Sequence, residues 1–251
     1  MEALNLILFE AIFIGLCILL LYHFKKIIGL EILYVFIGSL QFFQTILASN
    51  VYNNIFGEVV LSPGSSVLFN AALFTILLLF HTEKISKTRS LIFGLIISNV
   101  LITIISFITY EQIKTDNYTI QADFLSNLLN DNTTLFLVGT FLLYLDCFIM
   151  LFIYAFLDFI LKQRFLFLRI LITLVFISIF DSIIFYNLNY FLVNDNANLV
   201  LSSIIGKVLF ASIFSILLFS YLRITKKMSM KNSVSSSIEI IKIFTFNENK
   251  D

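Results

Sequence analysis

An acid, Asp181, and a base, Lys207, each stand inside a long apolar run of this chain. An ionised side chain at the centre of a bilayer costs roughly 2.5–3.5 kcal/mol on insertion scales, so such residues usually pair or carry function. Asp181 lies deep in one run and Lys207 lies early in the next, with a short connection between them. At about 1.5 Å of rise per residue, the two reach similar depths on helices short enough in connection to be neighbours. An Asp181–Lys207 ion pair is therefore expected, because pairing relieves most of the cost of each charge. The pair admits two roles: a lock between two helices, or one wall of a polar cavity that contacts a ligand. Gly206, beside Lys207, would let a helix or a ligand come close.

Further polar residues interrupt the apolar runs: Asp146, Gln41 and Gln44, Asn70, and Asn99. Taken singly, an amide in such a position bonds a neighbouring helix. Converging on one outward-facing pocket, they would suit a small, polar, planar ligand such as a nucleobase. Asp146 would be a further contact or a competitor for Lys207. Glu10 is also intramembrane, whereas Glu31 and Asp158 fall near run ends, where snorkelling or pairing with loop lysines accounts for them.

Enzymatic chemistry is not expected. The chain has no nucleophile elbow, Walker loop or dinucleotide fingerprint. His23 and His81 are far from any Cys or acidic cluster with metal spacing, and Cys17 and Cys147 read as small hydrophobes inside apolar runs. Neither a cofactor nor a metal is called for.

The elements that must position these residues follow from composition. Of 251 residues, 59% are hydrophobic and 13% charged, against about 25% charged in a soluble domain. Lipid must solvate much of this surface. Helices are predicted at 3–23, 29–49, 66–81, 88–110, 133–161, 166–187 and 199–223. Lys25 and Lys26 follow the first, Lys84, Lys87 and Arg89 the third, Lys162, Arg164 and Arg169 the fifth, and Arg223, Lys226, Lys227 and Lys231 the seventh. The alternate connections hold only Lys114. The positive-inside rule then predicts an all-α bundle of about seven transmembrane helices, with the N-terminus outside and the C-terminus cytoplasmic. Acidic Glu2, with no basic region before the first run, reads as a first span rather than a secretory leader. Tyr22, Tyr110, Tyr118, Tyr186, Tyr190 and Tyr221 would supply the interfacial aromatic belt.

Two connections carry their own signals. Asn50 to Ser66 is too apolar for a solvated loop and too short for a span, so it is either re-entrant and cavity-lining or interfacial. In Glu111 to Asn132, Ile120, Phe124, Leu125, Leu128 and Leu129 fall at helical spacing, as in a short amphipathic lid or packing helix. Residues 1–224 form the membrane bundle. Residues 225–251 form a cytoplasmic, linker-like tail with Ser233, Ser235, Ser236 and Ser237 ahead of a short apolar run. The zero net charge and scattered basic residues exclude a nucleic-acid partner.

Several stretches resemble a known family: Gln41 to Ser49, then Ser62-Pro63-Gly64-Ser65, Arg89 to Asn99, Gly139-Thr140, Tyr144-Leu145-Asp146, Phe180-Asp181-Ser182 and Gly206-Lys207. They resemble the VUT membrane proteins, which include queuosine-precursor transporters. They are closer to the VUPS domain, the membrane sensor of bacterial histidine kinases and cyclic-dinucleotide signalling proteins. Ile240 to Phe246 resembles the linker by which such sensors enter an output domain. Where the family usually has Pro, this chain has Asn70. The resemblance implies a sensor module in the bacterial cytoplasmic membrane. It would bind a small polar molecule near Asp181, Lys207, Asn99 and Asp146 and pass its state to the tail, a cytoplasmic signalling partner or a second copy. The alternative is a transporter of a nucleobase or vitamin-like solute, favoured by the sequence carrying no kinase or cyclase segment after the tail.

Overall fold

The computed structural model describes residues 2–56, 59–113, 133–161, 165–193 and 200–227. The amphipathic segment expected within 111–132 and the tail beyond Lys227 lie outside these residues, apart from the end of the preceding helix.

Eight helices are seen among the described residues: α1 Glu2–His23, α2 Lys25–Ile28, α3 Glu31–Asn50, α4 Phe69–Thr82, α5 Ile85–Ile113, α6 Thr133–Leu161, α7 Leu166–Val193 and α8 Val200–Ile224. All but the four-residue α2 belong to stretches long and apolar enough to cross a membrane, seven in total. Large apolar side chains cover the outside of the bundle, with Phe9 68% and Phe159 84% exposed. A surface of that kind calls for lipid rather than water.

Burial separates one helix from the rest. The stretch Gly64–Thr82 is 94% buried, against 17–44% for the other six spans. Every residue of α4 is buried, so α4 is the axis around which the other helices pack. Its C-terminus lies near Lys25 of α2, Lys84, Lys87 in the first turn of α5, and Lys227, hereafter the basic end.

Between α3 and α4 the chain, expected to be either re-entrant and cavity-lining or interfacial, carries regular structure. It folds into an antiparallel hairpin, β1 Asn53–Phe56 with β2 Val59–Leu61, and then into a π-helical turn, Gly64–Leu68, that runs into α4. Leu61, Ser62, Gly64 and Ser66 are buried. Irregular backbone survives in a membrane protein where other protein groups satisfy it. Ser62 Oγ donates to Leu47 O at 2.7 Å, and the Val60 amide donates to Ser202 Oγ at 3.3 Å.

Two glycines permit this packing. A Cβ at Gly64 would lie 2.5 Å from Gln44 O and 2.9 Å from Leu47 C, both backbone atoms of α3. A Cβ at Gly206 would lie 2.5 Å from Leu61 Cδ2 and 2.8 Å from Ser66 Oγ. Gly206 thus admits the hairpin and the π turn rather than a ligand.

Two further expectations are corrected. Tyr22 is fully buried rather than part of an interfacial belt. Its hydroxyl sits 2.6 Å from Thr82 Oγ1 and 2.7 Å from Glu83 Oε1. Arg169 is not a loop cation. It is a fully buried residue of α7, ion-paired with Asp158 of α6 and placed 4.6 Å from the Tyr154 ring centroid.

Candidate functional site

Asp181 on α7 and Lys207 on α8 form the ion pair expected from the sequence, Lys207 Nζ donating to Asp181 Oδ2. Both residues are almost wholly buried, 5% and 4% exposed. Lys207 Nζ also lies 4.6 Å from the centroid of the Phe69 ring at the start of α4. A cation over an aromatic face gains further stabilisation where water is scarce.

The pair borders a cavity of about 380 Å³. Its wall comes from eight parts of the chain: α3, the link to β1, the π turn, and α4 through α8. Helical spacing aligns the contributing faces. On α6 the lining residues Phe136, Gly139, Thr140 and Leu143 recur every three or four positions, and Asn99 and Thr103 are one turn apart on α5. The lining draws on the C-terminal halves of α3 and α7 and the N-terminal halves of α6 and α8, so the cavity occupies the half of the bundle away from the basic end.

The seven polar residues singled out from the sequence fall into three groups. Asp181, Lys207, Asn99 and Gln44 line the cavity. Gln41 stands one turn behind, its Nε2 donating to Gln44 Oε1 at 3.2 Å. Asn70 also stands behind the wall. Its Nδ2 donates to Lys207 O at 3.1 Å and to Ser66 O at 2.7 Å, and its Oδ1 accepts from Ser178 Oγ at 3.1 Å. Asn70 therefore holds the helix that carries Lys207, and its amide bonds three elements where proline would bond none. Asp146 is wholly buried on the same face of α6 as Gly139 and Leu143, beneath the cavity and outside its lining. It interacts electrostatically with both Asp181 and Lys207.

Other lining residues were not singled out from the sequence. Phe69, Thr103, Thr140, Ser203 and Tyr186 all face the cavity. A Ser or Thr in a helix gives little signal, because bonding to the preceding turn is its usual habit.

A second polar cluster sits at the basic end. His81, the penultimate residue of α4, lies 3.0 Å through Nε2 from the Lys227 carbonyl and 2.8 Å through Nδ1 from Tyr154 Oη. A carbonyl can only accept, so Nε2 carries the proton and Nδ1 accepts from the tyrosine. Lys227 Nζ lies 4.9 Å from the Tyr22 ring centroid. Among the described residues no group of three or more His, Cys, Asp or Glu side chains is arranged to hold a metal.

A bundle of seven apolar spans around a buried helix, with an ion pair at a polar cavity, defines a multi-pass helical membrane protein. The chain belongs to the vitamin uptake-like sensor family, VUPS, whose model matches residues 15–222. That match takes in all the lining residues, with part of the first and last spans and the whole of those between. No curated protein and no solved structure matches the chain.

Proposed function

We propose that this protein is a membrane sensor module. A small polar molecule binds in the cavity beside Asp181 and Lys207, and its occupancy is passed to the segment that follows α8. The observation that carries the proposal is the path of α4. Its first turn touches the site twice, through Phe69 beneath Lys207 and Asn70 on the Lys207 carbonyl. Its last turn touches the exit of α8, through His81 on the Lys227 carbonyl. One rigid, wholly buried helix thus contacts both the candidate ligand site and the start of the tail. A ligand shifts such an equilibrium only by its differential affinity for two states, and the Lys207–Phe69–Asn70 contacts are where that difference would arise. Membership of a sensor family supports the same reading, and with it a non-enzymatic role.

The basic end is assigned to the cytoplasm, with the N-terminus outside, because Lys and Arg concentrate in cytoplasmic loops. The cavity then opens in the outer half of a bacterial cytoplasmic membrane, and the tail meets a cytoplasmic signalling partner or a second copy. Hydrogen exchange at residues 222–227 tests the coupling, read with and without a compound that stabilises the purified protein. Exchange there is expected to change on binding. Unchanged exchange, with solute accumulating in vesicles that carry the protein, would assign it to transport instead.

A further inference from the structure

Three acids of the bundle each hold a cation: Glu83 with Lys25, Asp158 with Arg169 and Asp181 with Lys207. Asp146 belongs to none of these pairs. It is wholly buried on α6, and among the described residues no group donates a hydrogen bond to either of its carboxyl oxygens. A charge in such a place, without a bond to it, is the costliest state a carboxyl group can take, and a buried acid escapes it by keeping its proton.

The Asp146 carboxyl lies within hydrogen-bonding reach of the Asp181 carboxyl on α7 and in the field of Lys207 on α8. Cys147, next along α6, also feels it. The helices α4 and α5 pack against α6 too, but bring no acid or base to Asp146. Two ionised carboxylates only accept, so the contact between Asp146 and Asp181 becomes a bond when one of them carries a proton. Asp181 is the acid ion-paired with Lys207, so the proton falls to Asp146. Two carboxyl groups that share a site divide their charge in this way, one ionised and one neutral.

We infer that Asp146 is a neutral, protonated acid that donates a hydrogen bond to the Asp181 carboxylate and so positions the ion pair at the cavity. Asp181 is then fixed from two sides, by Lys207 of α8 and by Asp146 of α6. The three groups together carry no net charge, as a buried cluster requires. Asp146 is neither a ligand contact nor a competitor for Lys207. It lies outside the cavity lining and acts through Asp181.

Infrared spectroscopy of the full chain in detergent reads the proton. The C=O stretch of a protonated carboxyl is expected in the wild type at neutral pH and should be lost in Asp146→Asn. Equilibrium unfolding in detergent gives a second reading. A group that keeps its proton when folded and releases it when unfolded weakens the fold as pH rises above about 4, by up to about tenfold in the unfolding equilibrium per pH unit. Asp146→Asn supplies an N–H to Asp181 in place of the acid proton. It should match the wild type near that pH and exceed it progressively above. Asp146→Leu has no donor and should unfold about tenfold more readily than Asp146→Asn at neutral pH, the margin of a hydrogen bond to a charged group. If Asp146→Asn does not fold, Asp146→Leu carries the test of the band and of the pH slope. No protonated-carboxyl band in the wild type, a band unmoved in a folded variant, or a difference between wild type and variant that is constant with pH would overturn the assignment. None of these readings needs a ligand, so their failure and the failure of the ligand site are distinct results.

Discussion

At the scale of the residue, the account rests on charges that cannot stand alone. Removing one partner of a buried ion pair strands the other, at a cost of about 3–5 kcal/mol. Asp181→Ala and Lys207→Ala are each expected to lower the thermal midpoint sharply, and Asp181→Lys with Lys207→Asp should recover part of the loss. Full stability in both single variants would show that the pair contributes nothing to the fold. Gly64 makes a different demand. Its missing Cβ leaves room for the α3 backbone, and backbone cannot move aside as the end of a side chain can. Gly64→Ala is expected to destabilise by about 1–3 kcal/mol through overpacking, measured by denaturation in detergent. The Asp181–Lys207 pair was legible in the sequence because both charges are costly, similar in depth and on successive helices. The place of Asn70 was not, since its type says only that it bonds something, and here it bonds the carbonyl of Lys207.

At the scale of the element, α4 decides how the site communicates. A helix that is apolar all round reads as buried in a soluble protein. In a membrane protein every span is apolar, so hydropathy could not reveal that α4 is the central one. The hairpin and π turn before it were equally hidden. Strand signals in so short a stretch are weak, and the packing of Leu61 and Ser66 against Gly206 is a contact distant in sequence. His81→Phe removes the bond to the Lys227 carbonyl and the bond from Tyr154. It is expected to cost about 1–3 kcal/mol for the polar groups left unpaired. It should also loosen residues 225–227 in hydrogen exchange while leaving ligand affinity within about twofold. An affinity that falls together with stability would mean that His81 supports the site and not only the exit of α8.

At the scale of the whole molecule, the seven spans were legible from apolar length, and their boundaries follow the sequence reading within a few residues except around the hairpin. What sequence carried least well is the distinction between basic residues in connections and those in helices. Arg169, counted with a connection, is instead buried against Asp158 and Tyr154. The proposed orientation rests on the exposed cations Lys26, Lys84, Lys87 and Lys226. Replacing Cys17 and Cys147 and introducing single cysteines at Lys226 and Asn54 places each end by reaction with an impermeant thiol reagent on intact cells. The cysteine at position 54 is expected to react and that at 226 to stay protected until the membrane is opened. The reverse pattern would invert the topology.

The central claim is that a small polar molecule occupies the cavity beside Asp181 and Lys207. A ligand that binds only the folded state raises its apparent stability by mass action. The direct measurement is a thermal-shift screen of nucleobase-like and vitamin-like compounds on the detergent-purified protein, with Gly139→Phe in parallel. Gly139 lines the cavity, and a Cβ there meets no atom within 4 Å, so the position has room for a larger side chain. At least one compound should stabilise the wild-type protein and leave Gly139→Phe unmoved. Compounds that shift both proteins alike, or none that shifts either, would contradict the account.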